Sequence, residues 1–250
     1  MHTVTEIEDA DDHVALRAQW VSLWLTPVFG AVLLIAFLAF PGFLPPMSPQ
    51  DSAAEVADFY REHVGMIRFS MITFNLCGIM LIPFFMVIVL HIKRMSTPSQ
   101  VLAYAYLAAV VSGATLFAIA DIFWLVAAFR QDRAPELVQL LNDLAWITFT
   151  APVGMLVAQA VCLALAVRLD DQPEPIFPRW VAPFSIVIAL AMTPAACSVI
   201  FRTGPLAWDG LVSFWLRVVA FAVFVCVMFV VVRRATLRQD RARNAKARVR

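Results

Sequence analysis

Six long apolar runs dominate the chain, and short polar segments rich in proline, glycine and charge separate them. Each run holds roughly 20 or more residues, which is enough for an α-helix to cross a hydrocarbon core about 30 Å thick. The pattern therefore predicts an all-α fold. We expect a polytopic membrane helix bundle with six transmembrane helices, at approximately residues 20–40, 66–91, 101–129, 139–167, 181–201 and 210–232.

Several of these runs contain proline, which removes a backbone N–H from a helix and predicts a kink. Neighbouring helices in a membrane bundle can satisfy the carbonyl groups that proline leaves without a partner. We expect kinks at Pro27, Pro83, Pro152, Pro183 and Pro194.

The first outer loop, MSPQDSAAEVADFYREH, has the signature of a short helix. Ser52 and Glu55 have the spacing of a capping box. One helical face would then carry Val56, Phe59, Tyr60 and His63. This predicts a short amphipathic helix that lies on the outer membrane surface or caps the bundle. A solvated loop helix packed on its neighbours is the alternative.

Composition and charge support the membrane class and orient it. The chain is 62% hydrophobic and only 15% charged, whereas soluble domains are nearer a quarter charged. An acidic segment, residues 1–19, precedes the six-helix domain of residues 20–232, and a basic tail, residues 233–250, follows it. Thirteen of the 19 Lys and Arg residues fall on the side of both termini, which predicts cytoplasmic termini. Tryptophans at the predicted interfaces would anchor the helices: Trp20, Trp24, Trp180 and Trp208.

The chemistry that would identify an enzyme is absent from the sequence. The four cysteines stand singly in apolar runs, and the two histidines near spans, His63 and His91, lie on opposite sides of the membrane. No nucleophile elbow, phosphate-binding loop or dinucleotide fingerprint occurs. We therefore predict no catalytic residue, no metal and no cofactor. The basic tail, which has no interleaved aromatic residues, favours anionic lipid head groups over nucleic acid as its partner.

Two charged residues are predicted at the same depth inside the membrane. Asp209 is predicted to be the N-cap of the last helix, which places Arg217 about 12 Å along it. Asp121 lies equally far from the outer end of the third helix, which runs in the opposite direction. Charges inside a membrane are costly and usually have a partner. We therefore predict an Asp121–Arg217 ion pair.

Further polar residues are predicted in the same outer half, and the inner half offers few. They are Arg68, Asn75, Asp143 and Thr193. Together with Asp121 and Arg217 they form a candidate ligand-binding cluster. Pro194 would free a backbone carbonyl at this level. A purely structural network is the alternative, in which Asp143 pairs with Arg130 or Arg133 and the others only hold helices together.

Four stretches together resemble an uncharacterised family of bacterial six-helix integral membrane proteins. They are FPGFLPPMSPQDSAAEVADFYREH, LLNDLAWITF, EPIFPRWV and FRTGPLAWDGLVSFWL, and the resemblance runs over roughly residues 20–232. A Pro-rich first outer loop and a Thr-Gly-Pro turn before the last span carry it. The resemblance implies a location in the bacterial cytoplasmic membrane and assigns no substrate or catalytic residue.

These observations favour a membrane protein that binds a small amphiphilic or lipophilic ligand in the outer-half cluster. The alternative is a structural or accessory subunit that contacts a membrane partner protein through its tail and its surface helix. Transport is less favoured, because the inner half offers few polar residues and no internal repeat is visible. A lipid-acting enzyme that uses Asp121 or Asp143 is the least favoured hypothesis.

Overall fold

The computed structural model describes the backbone of residues 4–97 and 99–249, and the side chains of residues 14–97 and 99–245. Over those residues the fold is all-α and contains no strand, as the sequence predicts. The nine α-helices of this described part are α1 (Val4–Ala39), α2 (Ala53–Glu62), α3 (Val64–Gly78), α4 (Ile82–Lys93), α5 (Val101–Phe129), α6 (Pro135–Thr150), α7 (Gly154–Arg168), α8 (Val181–Met192) and α9 (Arg217–Val249).

Six helical segments are long and apolar enough to cross a membrane. Their bounds are Val14–Ala39, Val64–Lys93, Val101–Phe129, Pro135–Arg168, Val181–Val199 and Leu211–Ala245. The predicted polytopic bundle of six spans is confirmed. The acidic side chains predicted near the N-terminus fall within residues 1–13 and the last basic ones within residues 246–250, outside the described side chains.

Four of the six spans are interrupted, and three of the interruptions lie at predicted prolines. A 3-10 turn at Ile79–Leu81 precedes Pro83, a break at residues 151–153 contains Pro152, and a 3-10 segment at Thr193–Val199 contains Pro194. The fourth interruption is a π-helical turn, Leu211–Leu216, which sequence analysis did not predict.

Kinks were also predicted at Pro27 and Pro183, and neither proline interrupts its helix. Pro27 lies within the continuous helix α1, and Pro183 lies in the first turn of α8. In a first turn the missing N–H of proline costs no intrahelical hydrogen bond, which explains why α8 remains intact.

Helix α5 is unbroken and lies at the centre of the bundle, where it contacts α2, α3, α4, α6 and α7. Helix α1 packs at the periphery against α3, α4 and α9. Large apolar side chains such as Val28, Leu34 and Leu38 are exposed on α1. Exposed apolar side chains are expected on a span because lipid tails surround it.

The hydrophobic interior has two parts, one toward each end of the bundle. One lies beneath α2, the loop of residues 40–52 and the loop of residues 200–210, and we call this end the α2 face. The other lies beneath the loops of residues 94–100 and 169–180 and the start of the tail, and we call this end the tail face. The α2 face corresponds to the predicted outer side.

The short helix in the first loop forms as predicted. The Ser52 hydroxyl accepts from the Glu55 N–H, and a Glu55 carboxylate oxygen lies 2.8 Å from the Ser52 nitrogen. Val56, Ala57 and Tyr60 on one face are buried. The helix therefore packs on α6 at this end of the bundle, an arrangement that agrees with a helix capping the bundle and with a loop helix packed on its neighbours.

Candidate functional site

Aromatic rings fill the bundle beneath the α2 face, with Phe43 from the first loop at their centre. Its ring centroid lies 5.7 Å from that of Trp124, 5.6 Å from that of Trp146 and 5.7 Å from that of Phe149. Phe214, from the π-helical turn, lies 5.9 Å away. We call these five rings the aromatic centre. The Pro-rich loop thus inserts a side chain into the membrane domain instead of lying on its surface.

Three side-chain donors hold this loop in place, each by a carbonyl group of the loop. Trp208 Nε1 donates to the Met47 carbonyl at 2.9 Å, Arg202 to the Pro49 carbonyl at 3.1 Å and Gln139 to the Asp51 carbonyl at 3.0 Å. Trp208 was predicted to be an interfacial anchor, but it is buried against Trp146. Its role is to fix the loop that carries Phe43.

Asp121 lies on α5 beside the aromatic centre and is only 1% exposed. Among the described residues, none donates a hydrogen bond to either of its carboxylate oxygens. Phe117 and Trp124 share its helical face, and the ring of Phe149 contacts both of them. A buried acid without a partner is costly, and such a group usually marks a site with a role beyond packing.

Arg217 begins α9 where the π-helical turn ends, and its side chain contacts Phe149. Its guanidinium carbon lies 4.3 Å from the centroid of the Phe149 ring, and one of its terminal nitrogens donates to the Phe149 carbonyl. Nε and the second terminal nitrogen have no protein acceptor. Arg217 is therefore buried with about half of its donor capacity unused.

The Phe149 carbonyl is available because the helix breaks at Pro152. In a regular helix this carbonyl would accept from the N–H of Val153, four residues on. The Val153 N–H bonds to the Ala151 carbonyl instead, and Pro152 has no N–H to offer. The sequence predicted a freed backbone carbonyl beside Pro194. The freed carbonyl that accepts a hydrogen bond from Arg217 is instead that of Phe149, just before Pro152.

The predicted Asp121–Arg217 ion pair is not formed. Both residues are described, yet the carboxylate of Asp121 has no partner and Arg217 donates to a backbone carbonyl. The two residues both lie beside Phe149, as the matching depths suggested. The large ring of Phe149 takes the guanidinium on its face, and this cation–π contact replaces the direct pair.

The other four predicted residues do not converge on Asp121. Arg68 donates to the carbonyls of Ala128 and Phe129, so it caps the end of α5. Asn75 donates to the Ala118 carbonyl at 3.2 Å and joins α3 to α5. These two side chains therefore satisfy backbone groups.

Thr193 and Asp143 form no hydrogen bond to Asp121 either. Thr193 is exposed and bonds back to the Ala189 carbonyl at 2.8 Å. Asp143 is half-buried, and Arg202 is the cation in electrostatic range of it. Among the described residues no ion pair joins Asp143 to Arg130 or Arg133, because Arg133 donates to the Val126 carbonyl instead.

Three polar groups near the aromatic centre escaped the sequence analysis. Trp124 Nε1, Trp146 Nε1 and the Ser70 hydroxyl are buried without a protein partner. Both tryptophans fall inside predicted spans, more than one helical turn from the nearer end, and this position was a signal for a polar role. Like Nε and the second terminal nitrogen of Arg217, these groups are buried donors without a partner among the described residues.

The tail face is more polar than the sequence suggested, because its polar groups come from loops and helix ends. His91 Nε2 lies 3.1 Å from the Thr236 hydroxyl, and Arg94 donates to Gln239 at 2.6 Å. Buried Asp170 accepts from the backbone N–H groups of Ser96 and Ile176. These bonds fasten the two loops to the start of the tail and form a satisfied structural network.

At the α2 face, two acids outside the membrane segments have altered acidity. Partial burial raises the pKa of Asp51, and it raises the pKa of Asp209, which also faces the Asp51 carboxylate. Asp209 was predicted to cap the last helix, but Gly210 precedes the π-helical turn and no side chain caps it. The N–H groups of Val212 and Ser213 bond instead to the Pro205 carbonyl, which closes this end of the helix.

Two small cavities in the described part of the molecule each measure about 10 Å³, room for roughly one water. One lies between α2 and the α5–α6 turn, beside Tyr60 and Arg61. The other lies beside Gln159 between α7, α8 and α9. Neither is lined by Asp121 or Arg217.

No family model, curated protein or solved structure matches this chain. The resemblance to an uncharacterised bacterial membrane family stays a prediction.

Proposed function

We propose that this multi-pass membrane protein binds a small amphiphilic ligand at the aromatic centre, between Asp121 and Arg217. The observation that carries the proposal is the set of buried polar atoms without a protein partner. It comprises both oxygens of Asp121, two nitrogens of Arg217 and the indole nitrogens of Trp124 and Trp146. Proteins rarely leave so many buried groups unsatisfied in one place unless something else satisfies them.

The chemistry of these groups narrows the class of ligand. An acidic or hydrogen-bond-accepting group suits the free nitrogens of Arg217, and an amine or hydroxyl group suits Asp121. The surrounding rings suit an apolar body. A single aliphatic acid or amine would use one half of the site. A molecule with an acceptor and a donor group a few ångströms apart would use both.

Access to the site is proposed to involve the first loop. Phe43 occupies the middle of the aromatic centre and belongs to a loop rather than a span. Three hydrogen bonds to backbone carbonyls hold that loop, and each contributes about 1 kcal/mol net. Releasing them would withdraw Phe43 and open a volume of the size of its side chain within the aromatic centre.

The proposed setting is the bacterial cytoplasmic membrane, with the α2 face outward and both termini in the cytoplasm. The distribution of Lys and Arg residues supports this orientation. Anionic lipid head groups are the proposed partners of the basic tail. A structural or accessory subunit is the alternative function, and the hydrogen-bonded α2 face with its loop fixed in place favours it. Transport and lipid chemistry remain less favoured.

Purification in native lipid discs with mass spectrometry tests the ligand. We expect a small amphiphile that co-purifies with the wild-type protein and is lost from a double variant, Asp121→Leu with Arg217→Met. Arg68→Met is the matched control, because Arg68 lies on the same side of the membrane but bonds only to carbonyls of α5. If a folded double variant retains every molecule found with the wild type, the ligand proposal fails and the alternative function, an accessory subunit, is favoured.

A further inference from the structure

Helices α1 and α9 run antiparallel and touch near the tail face. The rings of Trp24 and Phe229 meet edge to face at 5.9 Å, and the guanidinium of Arg233 lies 6.0 Å from the Trp24 ring. Position 24 therefore lies level with about position 231. Both helices rise about 1.5 Å per residue and run in opposite directions. A residue of α1 and a residue of α9 therefore lie at the same level when their numbers add up to about 255.

Buried positions on both helices continue toward the tail face. Leu16, Gln19 and Leu23 are buried along α1 at helical spacing, and Thr236 is buried at the level of Gln19. Beyond it, Asp240 and Arg243 remain partly covered, although they lie past Val232, where the last apolar run of the sequence ends. Both helices extend further, α1 back to Val4 and α9 on to Val249.

The register brings opposite charges to the same level in these extensions. Residues 4–13 carry five acids, Glu6, Glu8, Asp9, Asp11 and Asp12, and no Lys or Arg. By the same rule, Asp12 lies level with Arg243, and Asp9 lies level with Lys246. The tail has one acid, Asp240, which accepts a hydrogen bond from Asn244 on its own helix at 3.3 Å.

We propose that the acidic N-terminal segment docks along the basic tail helix as an antiparallel pair outside the bilayer. The pair is held by the charges on the stripe that carries Asp9 and Asp12 on one helix and Arg243 and Lys246 on the other. Anionic lipid attracts the same basic residues. The acidic segment therefore competes with the membrane surface for the tail. In neutral lipid the tail is held by the N-terminal segment, and in anionic lipid it is released to the head groups. This inference is independent of the ligand site.

The distance between two spin labels measures the pairing in the full chain. Ala10 and Ala245 lie level with each other, and both can be changed to cysteine after the four native cysteines are replaced. We expect one short, narrow distance distribution in phosphatidylcholine nanodiscs. We expect its loss as phosphatidylglycerol is added. A broad distribution in phosphatidylcholine, or a short one that phosphatidylglycerol does not change, would overturn the competition.

Charge reversal separates electrostatic pairing from simple packing. Arg243→Glu with Lys246→Glu should abolish most of the short-distance population, and adding Asp9→Lys with Asp12→Lys should restore it. Arg241→Glu with Arg248→Glu is the matched control, since it removes the same charge from the opposite face of the tail helix. Pairing along this stripe would be refuted if the four-residue swap did not restore the short-distance population. It would also be refuted if the control variant lost that population to the same extent.

Discussion

Phe149 is the residue through which the two membrane charges are arranged. Its carbonyl accepts from Arg217, its ring lies beneath the guanidinium, and its edge meets Phe117 and Trp124 on the face of α5 that carries Asp121. The sequence indicated the depth of both charges from helix geometry. It did not indicate that an aromatic ring would replace the direct pair, because that depends on how α6 packs between α5 and α9.

The arrangement predicts opposite effects for the two charges in ligand-free detergent solution. Asp121→Leu should leave the free energy of unfolding unchanged or raise it, because the carboxylate has no protein partner to lose. Arg217→Met should lower it by about 1–3 kcal/mol, because the Phe149 carbonyl would remain buried without a donor. Denaturant titration of both variants in one detergent measures the two changes.

A double-mutant cycle then tests whether the charges touch. The coupling between the two substitutions should stay near the roughly 0.5 kcal/mol limit of independent sites. If the two charges formed a buried ion pair, either single substitution would lower the free energy of unfolding by about 3–5 kcal/mol. Coupling of that size, with a destabilised Asp121→Leu variant, would mean that the charges pair directly in solution.

At the scale of elements, α2 and the preceding loop form one unit that closes the α2 face. Ser52→Ala should destabilise the start of α2 by about 1 kcal/mol, because it removes the hydroxyl of the capping box. Hydrogen exchange of the N–H groups of residues 53–56 should rise measurably. Ser48→Ala is the control, since the Ser48 hydroxyl only accepts from Gln50 in the exposed loop. Equal exchange in both variants would contradict the capping role.

Phe43 tests the role of the loop as a plug. Phe43→Ala should lower stability by about 3–5 kcal/mol if the void stays empty, as for other buried aromatic residues. An added amphiphile that fills the void should return part of that loss. Thermal unfolding with and without dodecanoate measures both effects, and Phe69→Ala, at an exposed position on α3, is the control. A variant as stable as the wild type would show that the ring fills no essential space.

Sequence patterns predicted the helices better than the contacts between them, for physical reasons. Apolar length and proline identify spans and breaks locally, and the Ser52–Glu55 spacing identifies a cap. The positions of Arg68, Asn75 and Thr193 were equally visible, but each satisfies a nearby carbonyl rather than facing Asp121. Which carbonyl a polar side chain meets depends on helix rotation and on neighbouring chain ends, and neither is visible in a single apolar run.

For the whole molecule, the charge distribution predicts a fixed topology. In a cysteine-free background, Gln50→Cys on the α2 face should react with a membrane-impermeant maleimide in intact spheroplasts. Ala245→Cys should react only after permeabilisation, because the tail is predicted to be cytoplasmic. Labelling of Ala245→Cys in intact spheroplasts would reverse the orientation and place the proposed ligand site in the inner half of the membrane.

The hydrogen bond from Arg217 to Phe149 links irregularities in two separate helices. If Pro152 were replaced by a residue that lets α6 continue into α7, the Phe149 carbonyl would be consumed within its own helix. Arg217 would then lose its acceptor. Neither feature is therefore free to change alone during evolution. Among relatives of this chain, those without proline at position 152 should also lack arginine at position 217, and the two changes should appear on the same branches of the family tree.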